Sequence, residues 1–332
     1  MSDTTAILPA KSAPKRRGKL AGFFIRLVKE KPLGTVCGII VVLLIFVGIF
    51  ADALAPYPYE ETHLVDRMQG PSTQYLMGTD QLGRDLFSRI IYGTRISLLV
   101  GLAVTTISIT ISTLIGGASG FLGGKFDLIV QRICDAWNCF PYLLILLTVM
   151  SIVGRGLTQI ILVMGIAGGL GGSRVIRGAV FAIKENVYFE AAESVGSSKW
   201  HTFAQHVIPN VMPIIIIGFS MSVGGVILAL ASLSFLGFGL PPGMPDWGGL
   251  LSMEGRKYME MAPWLALWPG LALTMVVYCL NMFGDALRDL LDPRLRGGVG
   301  RYGAAKKGKT GILARLMSGI RAIKPLPIRK GG

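Results

Sequence analysis

The sequence predicts an all-α, polytopic membrane protein with six transmembrane helices and both termini in the cytoplasm. Of its 332 residues, 52% are hydrophobic and only 16% are charged, whereas a soluble protein carries about 25% charged residues. Several apolar runs approach the ~20 residues that a helix needs to cross a bilayer. Lys and Arg are concentrated at the two ends of the chain, a pattern typical of cytoplasmic segments.

Six apolar segments are predicted to span the membrane, near 33–54, 94–121, 128–153, 157–183, 211–236 and 263–283. The loop after the first span is rich in proline and has more acidic than basic residues, so we place it outside the cell. The chain then divides into a basic tail with an interfacial helix (1–32), a first transmembrane helix (33–54), an extracytoplasmic loop (55–92), a five-helix core (93–285) that includes a cytoplasmic loop (186–210), and a basic C-terminal tail (286–332).

The net charge of +14 is carried mostly by the tails, and twelve Lys and Arg residues follow Ala286. Charge that flanks membrane spans favours anionic lipid headgroups, and not nucleic acid, as its partner. Residues 19–31 carry apolar side chains on one face and predict a helix in the membrane interface, with a frayed start of the first span as the alternative. Residues 312–320 predict a second interfacial helix. The first apolar run does not have the form of a cleaved signal peptide.

The longest polar segment between two spans is residues 188–213. Residues 190–193 favour helix, Gly196 and Ser197 interrupt it, and Pro209 ends a second helical run. The pattern predicts a short helix, a turn at glycine and a second short helix outside the bilayer. A solvated amphipathic hairpin without further function is the alternative reading.

This segment resembles the cytoplasmic coupling loop of ABC-importer membrane subunits, in which an E-A-A triplet precedes a glycine and a proline-ended apolar pair. The H-V-I-P-N run at 206–210 is similar to that of the peptide-importer branch. Further similarity lies in G-T-D-Q-L-G-R-D-L-F-S-R at 78–89, S-F-L-G-F-G at 234–239, D-W-G at 246–248 and the run at 281–294. Together these motifs resemble the C-type subunit of dipeptide/oligopeptide (peptide/nickel) importer permeases.

The resemblance implies the type I ABC-importer permease fold and a place in the cell inner membrane. It implies import of di- or oligopeptides, with nickel or another small solute as the alternative. The implied partners are a homologous second permease, two cytoplasmic ABC ATPases that use the ATP, and an extracytoplasmic substrate-binding protein; this chain itself would bind no cofactor. The residues implied to contact the ATPases are Glu190, Ala191, Ala192, Gly196, Ser197, His206 and Pro209.

The run at 78–89 also predicts local structure. Its two Gly-x-Asp patterns, at 78–80 and 83–85, favour two tight polar turns with Asp-to-backbone hydrogen bonds. They lead into a helix in which Asp85 and Arg89 are spaced to pair. We expect a folded external cap here, formed by Gly78, Asp80, Gly83, Arg84 and Asp85, and direct ligand binding is the alternative.

Asp135 is the most notable ionisable residue within a predicted span. An intramembrane charge suggests function, but the nearby Arg132 favours a structural ion pair over a proton relay. Pro141 is expected to kink the same span. Glycines cluster at 116–124, where they permit close helix approach or a bend, and again at 165–172, where the relatives carry bulkier residues.

The sequence shows no catalytic or metal-ligand pattern. The three histidines are not spaced as metal ligands, and the four cysteines lie in or near apolar spans and suggest no disulfide framework. Residues 303–310 formally match a phosphate-binding loop, but they lack the surrounding βαβ core. A stand-alone secondary transporter would predict inverted repeats and midplane charges, and a membrane scaffold would not need residues 186–210. We therefore expect a protein that is not an enzyme.

Overall fold

The computed structural model describes residues 19–186 and 198–291, which form helices joined by loops. The predicted all-α class is confirmed. Two of the turns between helices, Phe203–Val207 and Leu250–Gly255, are π-helical. In chain order the helices are α1 (Lys19–Glu30), α2 (Pro32–Ile49), α3 (Ala51–Leu54), α4 (Leu86–Leu122), α5 (Gly124–Asn138), α6 (Tyr142–Val153), α7 (Leu157–Lys184), α8 (Lys199–Thr202), α9 (Ile208–Phe235), α10 (Trp247–Gly249), α11 (Arg256–Tyr258) and α12 (Trp264–Leu291).

Five of these helices, α2, α4, α7, α9 and α12, are long and apolar enough to cross a membrane. Helices α5 and α6 pass the same test only together, and they are bent by 85° at the break between them. Pro141 lies in this break and precedes α6, because proline cannot continue the hydrogen bonding of a helix. The predicted kink is confirmed, and the third predicted span is a bent pair of helices.

Helices α4 and α7 approach each other so closely that several positions at their contact have room only for glycine. A Cβ added at Gly116 would lie 2.1 Å from the carbonyl oxygen of Ser173, and one added at Gly169 would lie 2.6 Å from Ile111. The Ser112 hydroxyl donates to the carbonyl oxygen of Gly169 across the contact, at 2.9 Å. Small residues at such contacts let two backbones pack tightly in a membrane. Gly116, Gly120 and the glycines at 165–172 therefore serve helix packing, whereas Gly123 and Gly124, with φ of +66° and +57° and nothing within 4 Å of an added Cβ, form the bend between α4 and α5.

The other spans pack around α12, which contacts α2 and α9. Cys37 of α2 and Cys279 of α12 are buried in the core around α12, together with Val276 and Trp247. All four cysteines of the chain are free thiols. The prediction that they act as small apolar side chains is confirmed for the three that are buried; Cys139 is exposed.

The bundle has two ends of different character. The end that holds residues 55–85 and 236–263 is called here the cap face, and the opposite end the tail face. At the tail face Leu27 of α1 packs against Ala286 and Leu290 of α12, and Lys31 pairs with Asp289. The first and last described helices therefore meet at one end, and α1 is a helix separate from α2.

The sides of the membrane are a prediction that thiol labelling can test. In a variant without the native cysteines, single cysteines at Ser12, Ser72 and Ser318 are expected to react with an impermeant thiol reagent in sealed cells only at Ser72. Ser72 lies exposed on the cap face, and the tails carry the cytoplasmic pattern of positive charge. Labelling at Ser12 from outside would reverse the orientation.

Candidate functional sites

The cap begins with a tight turn built on Asp80. Its Oδ1 accepts the backbone N–H groups of Leu82 at 2.7 Å and of Arg84 at 2.9 Å. Gly83 completes the turn with φ of +72°, and a Cβ at this position would lie 1.8 Å from the carbonyl oxygen of His63. A side chain is therefore excluded at Gly83 both by the backbone conformation and by the space. The predicted Asp-to-backbone hydrogen bonds are confirmed.

Asp85 starts the long helix α4. Its Oδ2 accepts the backbone N–H of Ser88 at 2.8 Å and the Ser88 hydroxyl at 2.6 Å, the geometry of an N-cap. The expected pairing of Asp85 with Arg89 is therefore wrong. Capping uses the Asp85 carboxylate at the helix start, and Arg89 finds its partners elsewhere.

Four buried charged side chains form one cluster under the cap. Arg84 Nε and Arg89 Nη1 both donate to Oδ2 of Asp80 at 2.6 Å. Arg84 Nη2 donates to Oε1 of Glu254 at 2.9 Å, and Arg89 contacts the same oxygen. Two cations thus face two anions, and each arginine bridges both carboxylates. Because an unpaired charge is costly to bury, this neutral arrangement fixes the cap and the start of α4 to the segment before α12.

Glu254 is the member of the cluster that the sequence did not reveal. It lies 165 residues from Arg89, in the π-helical turn between α10 and α11. Burial raises the pKa of Glu254 above its ordinary value, although the guanidinium of Arg89 opposes the shift. Glu254 is one of three acidic residues between the last two spans, with Asp246 and Glu260, and no local pattern distinguished it.

The D-W-G run positions this segment against the bundle. Asp246 caps α10 by accepting the backbone N–H of Gly249 at 3.0 Å, and burial raises the pKa of its carboxyl group. Trp247 is buried, and its indole N–H donates to the carbonyl oxygen of Ile90. A Cβ at Gly248 would lie 2.4 Å from the backbone of Ala231. The segment is therefore locked between α4 and α9.

A cavity of about 330 Å³ lies directly beside the cluster. Its wall includes Arg84, Arg89 and Glu254 of the cluster, Asp246, and Arg155 from the loop between α6 and α7. Of the cap residues predicted from the sequence, Arg84 lines this cavity together with its neighbours Arg89 and Glu254.

The predicted coupling residues lie largely outside the described part of the chain. This holds for Glu190, Ala191, Ala192, Gly196 and Ser197. Pro209 is described and lies exposed in the first turn of α9; His206 belongs to the π-helical turn before it. The prediction that Pro209 ends the second helical run is therefore wrong, because proline is tolerated in the first turn of a helix and the helical residues continue from Lys199 into α9. The role of these residues stays a prediction.

The segment that follows the predicted coupling residues is firmly joined to the spans. The Phe203 ring packs on Phe121 at the end of α4, with ring centroids 5.0 Å apart. Val207 and Val211 are buried against Val180 and its neighbours on α7. A displacement of residues 198–207 would thus be passed to α4, α7 and α9 by direct contact.

Ion pairs also stabilise the tail face. Asp127 of α5 accepts from the guanidinium of Arg177, and Asp135 pairs with Arg174 and lies 3.6 Å from Arg132. The structural interpretation of Asp135 is confirmed. These pairs join α5 to α7, so they hold the bent helix pair against the bundle.

The helical bundle, its apolar spans and its folded cap define a multi-pass membrane subunit. Residues 108–297 match the sequence profile "Binding-protein-dependent transport system inner membrane component". Residues 22–71 match "N-terminal TM domain of oligopeptide transport permease C". The chain belongs to this family of inner membrane transport components.

Two permeases named for glutathione transport agree with this assignment. The glutathione transport system permease protein GsiD of Pectobacterium atrosepticum is 38% identical over 274 residues, covering 82% of this chain and 91% of the relative. GsiD of an Escherichia coli O6:K15:H31 strain is 37% identical over 275 residues, covering 82% and 90%. A solved chain of the MetNI methionine ABC transporter has a TM-score of 0.46 at 17% identity, over 59% of this chain and 94% of that one.

Membership in this family makes the chain a permease subunit of an ABC importer in the inner membrane, and not itself an enzyme. The fold is therefore that of the type I importer permeases. An importer of this kind works with a partner permease, an ATPase and a substrate-binding protein.

Proposed function

We propose that this chain pairs with a homologous second permease and forms half of a translocation path for di- or oligopeptides. The observation that carries the substrate class is its similarity along 82% of the chain to permeases named for glutathione transport. Glutathione is a tripeptide. The similarity of residues 22–71 to the first span of an oligopeptide permease supports the same class.

The proposed complex has two cytoplasmic ATPases and an external binding protein. Residues 186–210 are the contact with one ATPase, and this chain binds no cofactor of its own. Closure of the ATPase pair moves this segment, and the contacts of Phe203 and Val207 transmit the movement to α4, α7 and α9. The spans then alternate between inward-open and outward-open states.

The ATPase contact can be tested by charge reversal at Glu190 and by a bulky substitution at Gly196. The complex would be purified by a tag on this subunit carrying Glu190→Lys or Gly196→Val. Both variants are expected to insert normally but to lose co-purifying ATPase, or its stimulation by substrate, by roughly fivefold or more, since typical coupling free energies are ~1–3 kcal/mol.

The matched control is Glu185→Lys, the same charge change at an exposed position at the end of α7. It should keep both the amount of ATPase and its stimulation. Normal values for Glu190→Lys and Gly196→Val as well would show that residues 186–210 do not couple the ATPase to the spans.

A further inference from the structure

The cavity at the cap face has buried polar atoms without partners on its wall. Glu254 Oε1 takes both arginine contacts, whereas Glu254 Oε2 is buried and accepts no hydrogen bond from the described residues. Gln81 Oε1, also on the wall, is buried in the same unpartnered state. A buried acceptor without a donor is unfavourable, and both side chains belong to the cavity wall, so a donor that reaches them would satisfy the two oxygens.

A second buried carboxylate makes a cationic donor the more favourable ligand for this cavity. Asp246 lines the same cavity and is buried, with the Gly249 N–H as its hydrogen-bonding partner from the backbone. Burial disfavours the charged form of both Asp246 and Glu254, so a cation in the cavity would stabilise both groups. An alkylammonium group, with three N–H donors, matches this part of the wall.

Arg155 gives the cavity a free positive charge. It lies between Gly154 and Gly156 in the loop from α6 to α7, and it is exposed. It forms no salt bridge with any acidic residue of the described ranges 19–186 and 198–291. Its guanidinium reaches the neighbourhood of Gly237, where an added Cβ would lie 3.9 Å away. A guanidinium in this state can bind a carboxylate through two parallel hydrogen bonds.

We propose that the cavity is a binding site for a short zwitterionic peptide, with the α-ammonium at Glu254 and Gln81 and the terminal carboxylate at Arg155. The volume of about 330 Å³ lies at the small end of ligand sites, which range over about 300–1,000 Å³. The inference rests on the proposed function, because it assigns the peptide termini to named residues of this subunit. In this arrangement the permease itself, and not only its binding protein, recognises the two termini of the peptide.

Binding to the complete membrane complex in nanodiscs tests the proposal without the external binding protein. The probes are trialanine, N-acetyl-trialanine and trialanine amide, each measured by isothermal titration. Trialanine should bind at least roughly fivefold more tightly than either blocked peptide, since each blocked peptide lacks the charged end whose hydrogen bonds are the stronger kind.

Two variants separate the two ends of the peptide. Arg155→Gln should bind trialanine and its amide equally and still discriminate against the acetylated peptide. Glu254→Gln should bind trialanine and its acetylated form equally and still discriminate against the amide. This result counts only if the complex elutes as the wild type in size exclusion; otherwise Arg155→Gln alone tests the proposal. Arg67→Gln, an exposed arginine of the cap outside the cavity wall, should keep the wild-type pattern.

The proposal is overturned if the wild type does not discriminate between the three peptides, or if Arg155→Gln still prefers trialanine to its amide. Uptake measured in proteoliposomes with the binding protein separates this failure from that of the proposed function. ATP-driven peptide uptake with unchanged discrimination in Arg155→Gln would leave the function standing and remove the site.

Discussion

Replacing Arg89 with methionine is expected to prevent stable folding of the subunit. Arg89 is buried and contacts both Asp80 and Glu254. Without it, Arg84 alone would face two buried carboxylates. Removing one partner of a buried ion pair costs about 3–5 kcal/mol, which is a large part of the stability of a typical domain. The measurement is the yield and melting temperature of the detergent-purified protein.

A second substitution makes this prediction specific. Changing Glu254 to glutamine in the same chain leaves Asp80 and Arg84 as one balanced pair, so the double variant should be more stable than Arg89→Met alone. The control is Arg26→Met, because the pair of Arg26 with Glu30 is exposed and such pairs contribute little to stability. If the double variant is no more stable than Arg89→Met, charge balance is not what holds the cap.

The substitution Gly116→Ala is expected to separate α4 from α7. Its Cβ would lie 2.1 Å from the carbonyl oxygen of Ser173, a backbone atom that cannot rotate away. Overpacking costs about 1–3 kcal/mol and occasionally more, and here the displaced element is a whole helix. The melting temperature of the purified subunit should therefore fall, and its yield with it.

The matched control for this prediction is Gly178→Ala on α7. A Cβ at Gly178 meets nothing within 4 Å, so alanine should be neutral or stabilising by about 0.5–1 kcal/mol, as expected for a helix interior. Equal melting temperatures for the two alanine variants would contradict the close packing of α4 on α7.

Local patterns in the sequence were sufficient for much of this architecture. Apolar runs located the spans because burial in lipid requires them, and Pro141 located the bend because proline breaks backbone hydrogen bonding. The turn at Asp80 followed from the short reach of an aspartate side chain to its own backbone. Each of these features depends on residues close in the chain.

Features that depend on distant contacts could not be predicted in the same way. Helical spacing placed Asp85 and Arg89 within reach of each other, but the N-cap of α4 uses Asp85. Arg89 instead contacts Asp80 and Glu254, and only the packing of the segment after α9 brings Glu254 within reach. Likewise, the glycines of the fourth predicted span gave no indication that α4 was their neighbour. The cavity beside Glu254 is a consequence of the same long-range packing.

ATP-driven import of peptides can be measured as uptake into proteoliposomes. The complete complex would be reconstituted with its binding protein outside and ATP inside, and the accumulation of radiolabelled trialanine measured over time. We expect uptake above the external concentration only when ATP and this subunit are both present. Uptake that continues without ATP and follows an imposed ion gradient would contradict the account and indicate a secondary transporter.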